Sequence, residues 1–434
     1  MMQTTTPGQP HESLAQMLNQ PTPQQRLSAL GDWCRRTDPS DQAGGGGGRD
    51  VNNHIHTIYS FSPYSPSAAA WQARQAGLAT AGLMDHDSIA GALEFIEAGR
   101  LLHLPVTIGL ECRVSLQGLP FSGRHINNPD QRGVAYIALH GVPHHQIPAV
   151  QAWLEPIRQA RFQRSLAMTG RLNHLMKPYG LSLDFEQDII PLSCWEEGGE
   201  ITERHILFAL AGQLLDQSPD GKQLVERLEH DLRLPLTEKQ RGHLQSPQPY
   251  RRYDLLGLLK GHLVERFYLD AGSDECPPAE HVTAWASEHG LIPAYAYLGD
   301  VTDSVTGDKK SQAFEDEFLD DLFKRLPQLG FQAVTYMPSR NQRAQLERVQ
   351  RLCREYGLFQ ISGEDINQPR QAFVCQAMRD PMFSHLYDAA WALIAHERAG
   401  DDAGLFSETA RKRWPALEQR VRHYAGKARH DMIH

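Results

Sequence analysis

The chain has 434 residues, 41% hydrophobic and 22% charged, with a net charge of −9, an ordinary soluble composition large enough for one α/β domain with an insertion or for two to three domains. The acidic balance argues against a broad nucleic-acid-binding face, no apolar run reaches the roughly eighteen residues of a membrane span, and the polar stretch Met1 to His11 has no signal-peptide pattern. Six cysteines (Cys34, Cys112, Cys194, Cys276, Cys353, Cys375) include no C-x-x-C pair, so reduced thiols and a cytoplasmic protein are expected rather than a disulfide scaffold or zinc knuckle.

Residues 1–50 read as a separate polar leader. Pro7–Gln25 is rich in Pro and Gln, Leu27–Arg36 predicts a short helix, and Gly44–Gly48 is a five-glycine run expected to be flexible. The main domain is placed from about Val51. Strands are predicted at Ala79–Met84, Pro105–Leu110 and Val134–Leu139, with a helix over Ser88–Leu102 capped by Ser88. Residues 146–285 are charged and helical, with helical spacing over Ala149–Met176, Gly221–Leu232 and Tyr253–Phe267, and read as an insertion covering one end of a β/α core. Alternation then resumes: strand Leu291–Tyr297, helix Phe314–Leu326, strand Phe331–Tyr336, helix Arg340–Tyr356 ending at Gly357, and strand Leu358–Ser362. Strands separated by helices imply parallel units. The core is thus expected from 51–145 and 286–400, followed by a C-terminal helix over 401–434.

The chemistry-bearing residues fall at the ends of these strands. His54 and His56, at i and i+2, point the same way on an extended segment and can share a cation. Asp85 and His86 follow the second strand, Glu111 the third, His140 the next, and Glu364 and Asp365 the last. Active sites of parallel β/α folds collect at the carboxyl ends of strands. Imidazole and carboxylate together suit zinc, manganese or iron. A carboxylate such as Glu111 can bridge two ions, and a pair about 3.5–4 Å apart would clamp a phosphoester and generate hydroxide at neutral pH. Asp85 is expected to orient a neighbour, and His140 is open between a ligand and a residue preceding the turn at Gly141.

Asn53-His54-Ile55-His56-Thr57-Ile58-Tyr59-Ser60, then Gly82-Leu83-Met84-Asp85-His86-Asp87-Ser88, then Gly109-Leu110-Glu111, resembles the PHP (polymerase and histidinol phosphatase) superfamily, over about 51–140 and 200–400. The resemblance implies an α/β fold, a distorted (β/α)7 barrel with a helical insertion or cap. It also implies two divalent metals (Mn, Zn or Fe), with a third in some members, and phosphoester hydrolysis. By position, His54, His56, Glu111 and Asp365 would hold the first metal, His205 the second and His86 the third, with Asn367 at a further ligand position. Glu111, Asp365 and His205 would act in catalysis. Three departures stand out: Phe61 replaces the acid after the first motif, Tyr297 replaces a histidine in Ala296-Tyr297-Leu298, and Asn367 replaces one in Glu364-Asp365-Ile366-Asn367. A further family histidine falls at Tyr136.

Arg124, Arg204, Lys309, Lys310 and Arg340 are phosphate-binding candidates, and Tyr297 is a candidate for a substrate oxygen. The expected activity is hydrolysis of a small phosphorylated metabolite or nucleotide. The alternatives are a phosphodiesterase or exonuclease on single-stranded nucleic acid and a non-catalytic regulatory module. Oligomeric state is not legible.

Overall fold

The computed structural model describes residues 14–37, 48–301, 313–400 and 403–433. Most of the five-glycine run, together with Lys309 and Lys310, lies outside them. Seven strands, β1 (Val51–Ile55), β2 (Thr80–His86), β3 (Val106–Ser115), β4 (Val134–His140), β5 (Ile292–Ala296), β6 (Ala333–Tyr336) and β7 (Phe359–Ser362), form one sheet in sequence order. The sheet curls into a nearly closed barrel. His56 N–H donates to the Ile366 carbonyl at 2.9 Å and Ile366 N–H to that of His54 at 3.1 Å, which joins β1 to the segment after β7.

Two asparagines stitch the same seam. The Asn52 side chain accepts from Glu364 N–H (3.0 Å) and donates to the Glu364 carbonyl (3.1 Å), while Asn53 donates to the Ser362 carbonyl (2.8 Å). Buried amides in a strand must find partners, and here those partners close the barrel. Gly363 lets the backbones approach: a Cβ there would sit 2.4 Å from the His54 Cβ.

The expectation of parallel units holds for β1–β3 and β5–β7 but not for β4, which runs antiparallel to both β3 and β5. The cause is the connection. Residues 116–133 carry Gly, Pro and Asn and no helical periodicity, so no crossover helix returns the chain to the start of the sheet.

Helices clothe the barrel. Helix α1 (Pro23–Arg36) starts earlier than predicted, capped by Thr22. It docks through Arg26, whose Nε and Nη2 reach the Glu94 carboxylate at 2.9 and 2.6 Å in a fully buried pair. Helix α2 (Pro66–Gln75) follows β1, and α3 (Ala92–Leu101) follows β2. Ser88 does not cap α3; its hydroxyl donates instead to the Gly198 carbonyl at 2.8 Å, tying the barrel rim to the insertion.

The insertion is helical, with α4 (Ile147–Met176), α5 (Glu203–Gln217) and α6 (Arg251–Phe267) around their own core of Met168, Leu172, Leu207, Leu210, Leu255 and Phe267. Helices α7 (Ala279–Glu288), α8 (Leu319–Arg325) and α9 (Arg343–Tyr356) complete the β/α units. Helix α10 (Ser384–Glu397) reaches the barrel's other end, where Glu397 accepts from Ile108 N–H near the start of β3. The predicted C-terminal helix is two pieces, a short turn of helix at Glu408–Arg413 and α11 (Leu417–Ile433); Pro415 separates them by removing a backbone donor. No helix among the described residues is long and apolar enough to cross a membrane.

Candidate metal centre

Where β1 and β2 end, beside the middle of β3, one carboxylate oxygen is the hub. Glu111 Oε2 lies 3.3 Å from His86 Nδ1, 3.4 Å from His54 Nε2 and 3.8 Å from His56 Nε2. His56 Nε2 is also 3.1 Å from Asp365 Oδ1. His54, His56 and Glu111 each offer one ligand atom, all within 4.8 Å of one another. The alternation of strand side chains places both histidines on the barrel side, and a register shift between Asn52 and Ile55 aims them.

The hydrogen-bond chain behind His56 fixes its tautomer. Asp85, fully buried, accepts from Thr57 N–H (2.6 Å), Thr57 Oγ1 (2.6 Å) and Ser60 Oγ (2.8 Å). Ser60 thus gives its one proton to Asp85, so its contact with His56 Nδ1 at 3.3 Å must be one in which the imidazole donates. In the neutral ring, the form that can ligate a cation, the lone pair is then on Nε2, on the side of Glu111 and Asp365. Such a partner behind the ring is the usual support of a metal-bound histidine. Asp85 therefore orients a neighbour, as its place in the sequence suggested.

The electrostatics are those of a site built for added positive charge. Burial would raise the Glu111 carboxyl, yet His54 and His86 bring it down to about 2. Burial would lower His54, yet Glu111 pushes it up to about 9. Burial wins at His86, which falls well below its ordinary value. Asp365, burial notwithstanding, sits well below the usual carboxylate range because of His56. His56 Nε2 and His86 Nδ1 are buried and make no hydrogen bond. Orphaned imidazole nitrogens around a shared carboxylate fit a divalent cation.

The other predicted site residues are placed as follows. Asn367 Nδ2 donates to Asp365 Oδ1 at 2.5 Å, so it holds a carboxylate of the cluster. His205 is buried at the start of α5 and is not drawn into the cluster; its Nδ1 accepts from Thr202 N–H at 3.0 Å and its ring stands edge-on to Phe61 at 5.0 Å. An accepting Nδ1 puts the proton of the neutral ring on Nε2. Phe61 belongs to the core of the cap, against Phe208 and Tyr253, which accounts for an aromatic residue where an acid was expected. Tyr297 donates to Asp316 Oδ1 at 2.6 Å. Tyr136 lies beside His86, ring centroids 5.5 Å apart. His140 is buried, its Nε2 without a partner.

Among the arginines, Arg204 and Arg340 lie close enough to Asp365 to feel its charge. Arg124 is exposed and paired with Glu317 at 2.5 Å. Asp365 is the open side of the cluster, with a cleft of about 290 Å³ beside it lined by Ser339, Glu364, Gln371 and Cys375. Asn52, Asn53, Ser60 and Thr57 were not singled out from the sequence. The available signal was polar residues flanking a buried motif, each requiring a partner.

No family model and no curated protein matches the chain. Among solved structures, one from Bifidobacterium adolescentis that bears the name of a metal-dependent phosphoesterase is 17% identical, with a TM-score of 0.49, over 76% of this chain and 94% of that one. An amidohydrolase from Chromobacterium violaceum, with bound sulfate and no metal, is 19% identical, with a TM-score of 0.49, over 75% of this chain and 90% of the other. Likenesses at this identity and score do not fix an activity.

Proposed function

We propose that the protein is a metal-dependent hydrolase of phosphoesters, acting on a small phosphorylated metabolite or nucleotide. The observation that carries this reading is the hub at Glu111 Oε2, faced by three imidazoles, with Asp365 at the rim. His54, His56, Glu111 and Asp365 would hold one divalent ion, and Glu111 with His86 would hold a second. Bound there, such ions supply a nucleophilic water at neutral pH and Lewis-acid stabilisation of phosphoryl oxygens.

The chain's own groups do the rest. Asp85, through Ser60, holds His56 with its lone pair toward the hub. Asn367 holds Asp365. Arg204 makes no ion pair among the described residues and lies with Arg340 near Asp365, so both are assigned to phosphoryl oxygens. A small substrate is favoured because three of the arginines on α4 are taken up inside the cap. Arg161 and Arg164 are buried against carboxylates, and Arg158 is tied to the Gly199 and Trp195 carbonyls at 2.9 Å.

The test is a panel of phosphomonoesters and nucleotides with Mn(II) or Zn(II). Wild type should turn over at least one, and His56→Ala should lose that activity while remaining folded. A folded His56→Ala variant with unchanged turnover would sink the proposal.

A further inference from the structure

One guanidinium of the cap reaches the turn that follows β2. Arg161, on α4, is buried to 3% side-chain exposure; its Nη1 lies 2.6 Å from Asp87 Oδ2 and its Nε 3.0 Å from Glu200 Oε2. Asp87 directly follows His86. Its backbone is left-handed, φ +44°, a strained conformation for a non-glycine residue. Its N–H donates to the Glu111 carbonyl at 2.8 Å. One cap side chain therefore grips a turn that is one residue from one candidate ligand and one hydrogen bond from another.

Attachment of the cap does not need this contact. Arg113 of β3 pairs with Glu275 of the insertion, and the Gln131 side chain, in the loop after β3, exchanges two hydrogen bonds with the Ala271 backbone, at 2.8 and 3.0 Å. By contrast, the other Asp87 oxygen, Oδ1, is buried without a hydrogen bond. Among the described residues, Arg161 is the ion-pair partner of Asp87.

We propose that Arg161 is a positioning residue of the metal centre. By fixing the Asp87 turn it sets the directions from which His86 and Glu111 present their donor atoms. This rests on the metal-hydrolase reading.

Mn(II) affinity is measured by calorimetry on the full chain, with circular dichroism and gel filtration to check folding. Arg161→Gln should bind Mn(II) at least about tenfold more weakly than wild type, as loss of ligand-orienting partners generally does. Arg161→Lys keeps the charge but cannot span Asp87 and Glu200 together, so its affinity should fall in between. Gln131→Ala, which breaks a cap–barrel contact away from the turn, should lower the melting temperature and leave Mn(II) affinity unchanged. Wild-type affinity in folded Arg161→Gln would overturn the proposal. If that variant does not fold, wild-type affinity in Arg161→Lys would do the same. Equal weakening in Gln131→Ala would also overturn it, by making general loosening of the cap the cause. A wild-type chain that takes up no Mn(II) would overturn the hydrolase reading beneath it.

Discussion

Asp85 is the residue on which the geometry of His56 depends, and its replacement separates fold from function. Its carboxylate accepts three hydrogen bonds of 2.6–2.8 Å from Thr57 and Ser60. Hydrogen bonds to a charged group contribute about 1.5–3 kcal/mol each, and buried donors left unpaired cost about 1–3 kcal/mol. Burial raises the Asp85 carboxyl above its ordinary value even with these donors present, so part of that gain already offsets desolvation. Asp85→Ala should therefore lose about 3–5 kcal/mol of stability in urea unfolding. It should also weaken Mn(II) binding about 10–100-fold, because Ser60 no longer has a carboxylate to fix its proton. Asp85→Asn keeps an acceptor for Thr57 N–H and Ser60, and its amide can donate to Thr57 Oγ1. It should lose less than about 1.5 kcal/mol and bind Mn(II) nearly as wild type. An alanine variant that loses under about 1 kcal/mol, or retains full metal affinity, would refute the claim that this chain aims His56.

Gly363→Ala would drive a Cβ to 2.4 Å from the His54 Cβ and 2.8 Å from its N, so the seam must open; both a lower melting temperature and weaker Mn(II) binding are expected, and an unperturbed variant would contradict the seam's role. Arg26→Ala leaves Glu94 buried with Ser67 as its remaining donor among the described residues, and about 3–5 kcal/mol should be lost by chemical denaturation; a loss under about 1 kcal/mol would show that α1 is not anchored there. Glu397, fully buried, is pushed up to about 7 by burial, with His144 at 3.4 Å opposing. A carboxyl raised from about 4.3 in the unfolded chain binds its proton more tightly when folded, so its stabilising contribution is complete below that value and lost as pH rises toward 7. Glu397→Gln should be less pH-dependent across that window, its stability relative to wild type improving with pH by up to about 3 kcal/mol, as read from urea midpoints; a difference independent of pH would contradict this.

Much of the site was legible because its chemistry is carried by short local patterns. The His54/His56 pair and Asp85-His86 each close an apolar strand, and they converge once the strands are neighbours; Glu111 was expected just past a strand ending at Leu110 but lies within β3, which runs on to Ser115, paired there with His86. The barrel followed from alternating β and α signals. The reversal of β4 was not legible, since the run Val134–His140 has the same apolar character in either direction, and only the hydrogen-bonding partners decide. Ser88 was read as a local cap, but its hydroxyl serves a contact 110 residues away in sequence. The same limit hid Asn52, Ser60 and Arg161, whose roles depend on partners that no spacing rule brings together. Phe61 shows the converse: a motif position can be taken over by packing of the inserted cap.

The most direct test of the central claim is elemental analysis of the purified chain after equilibration with Mn(II) or Zn(II) and removal of free metal, with His54→Ala/His56→Ala alongside. The account predicts two ions per wild-type chain and loss of metal from the folded double variant. A wild-type chain that retains none, or a variant that retains as much as wild type, would contradict it.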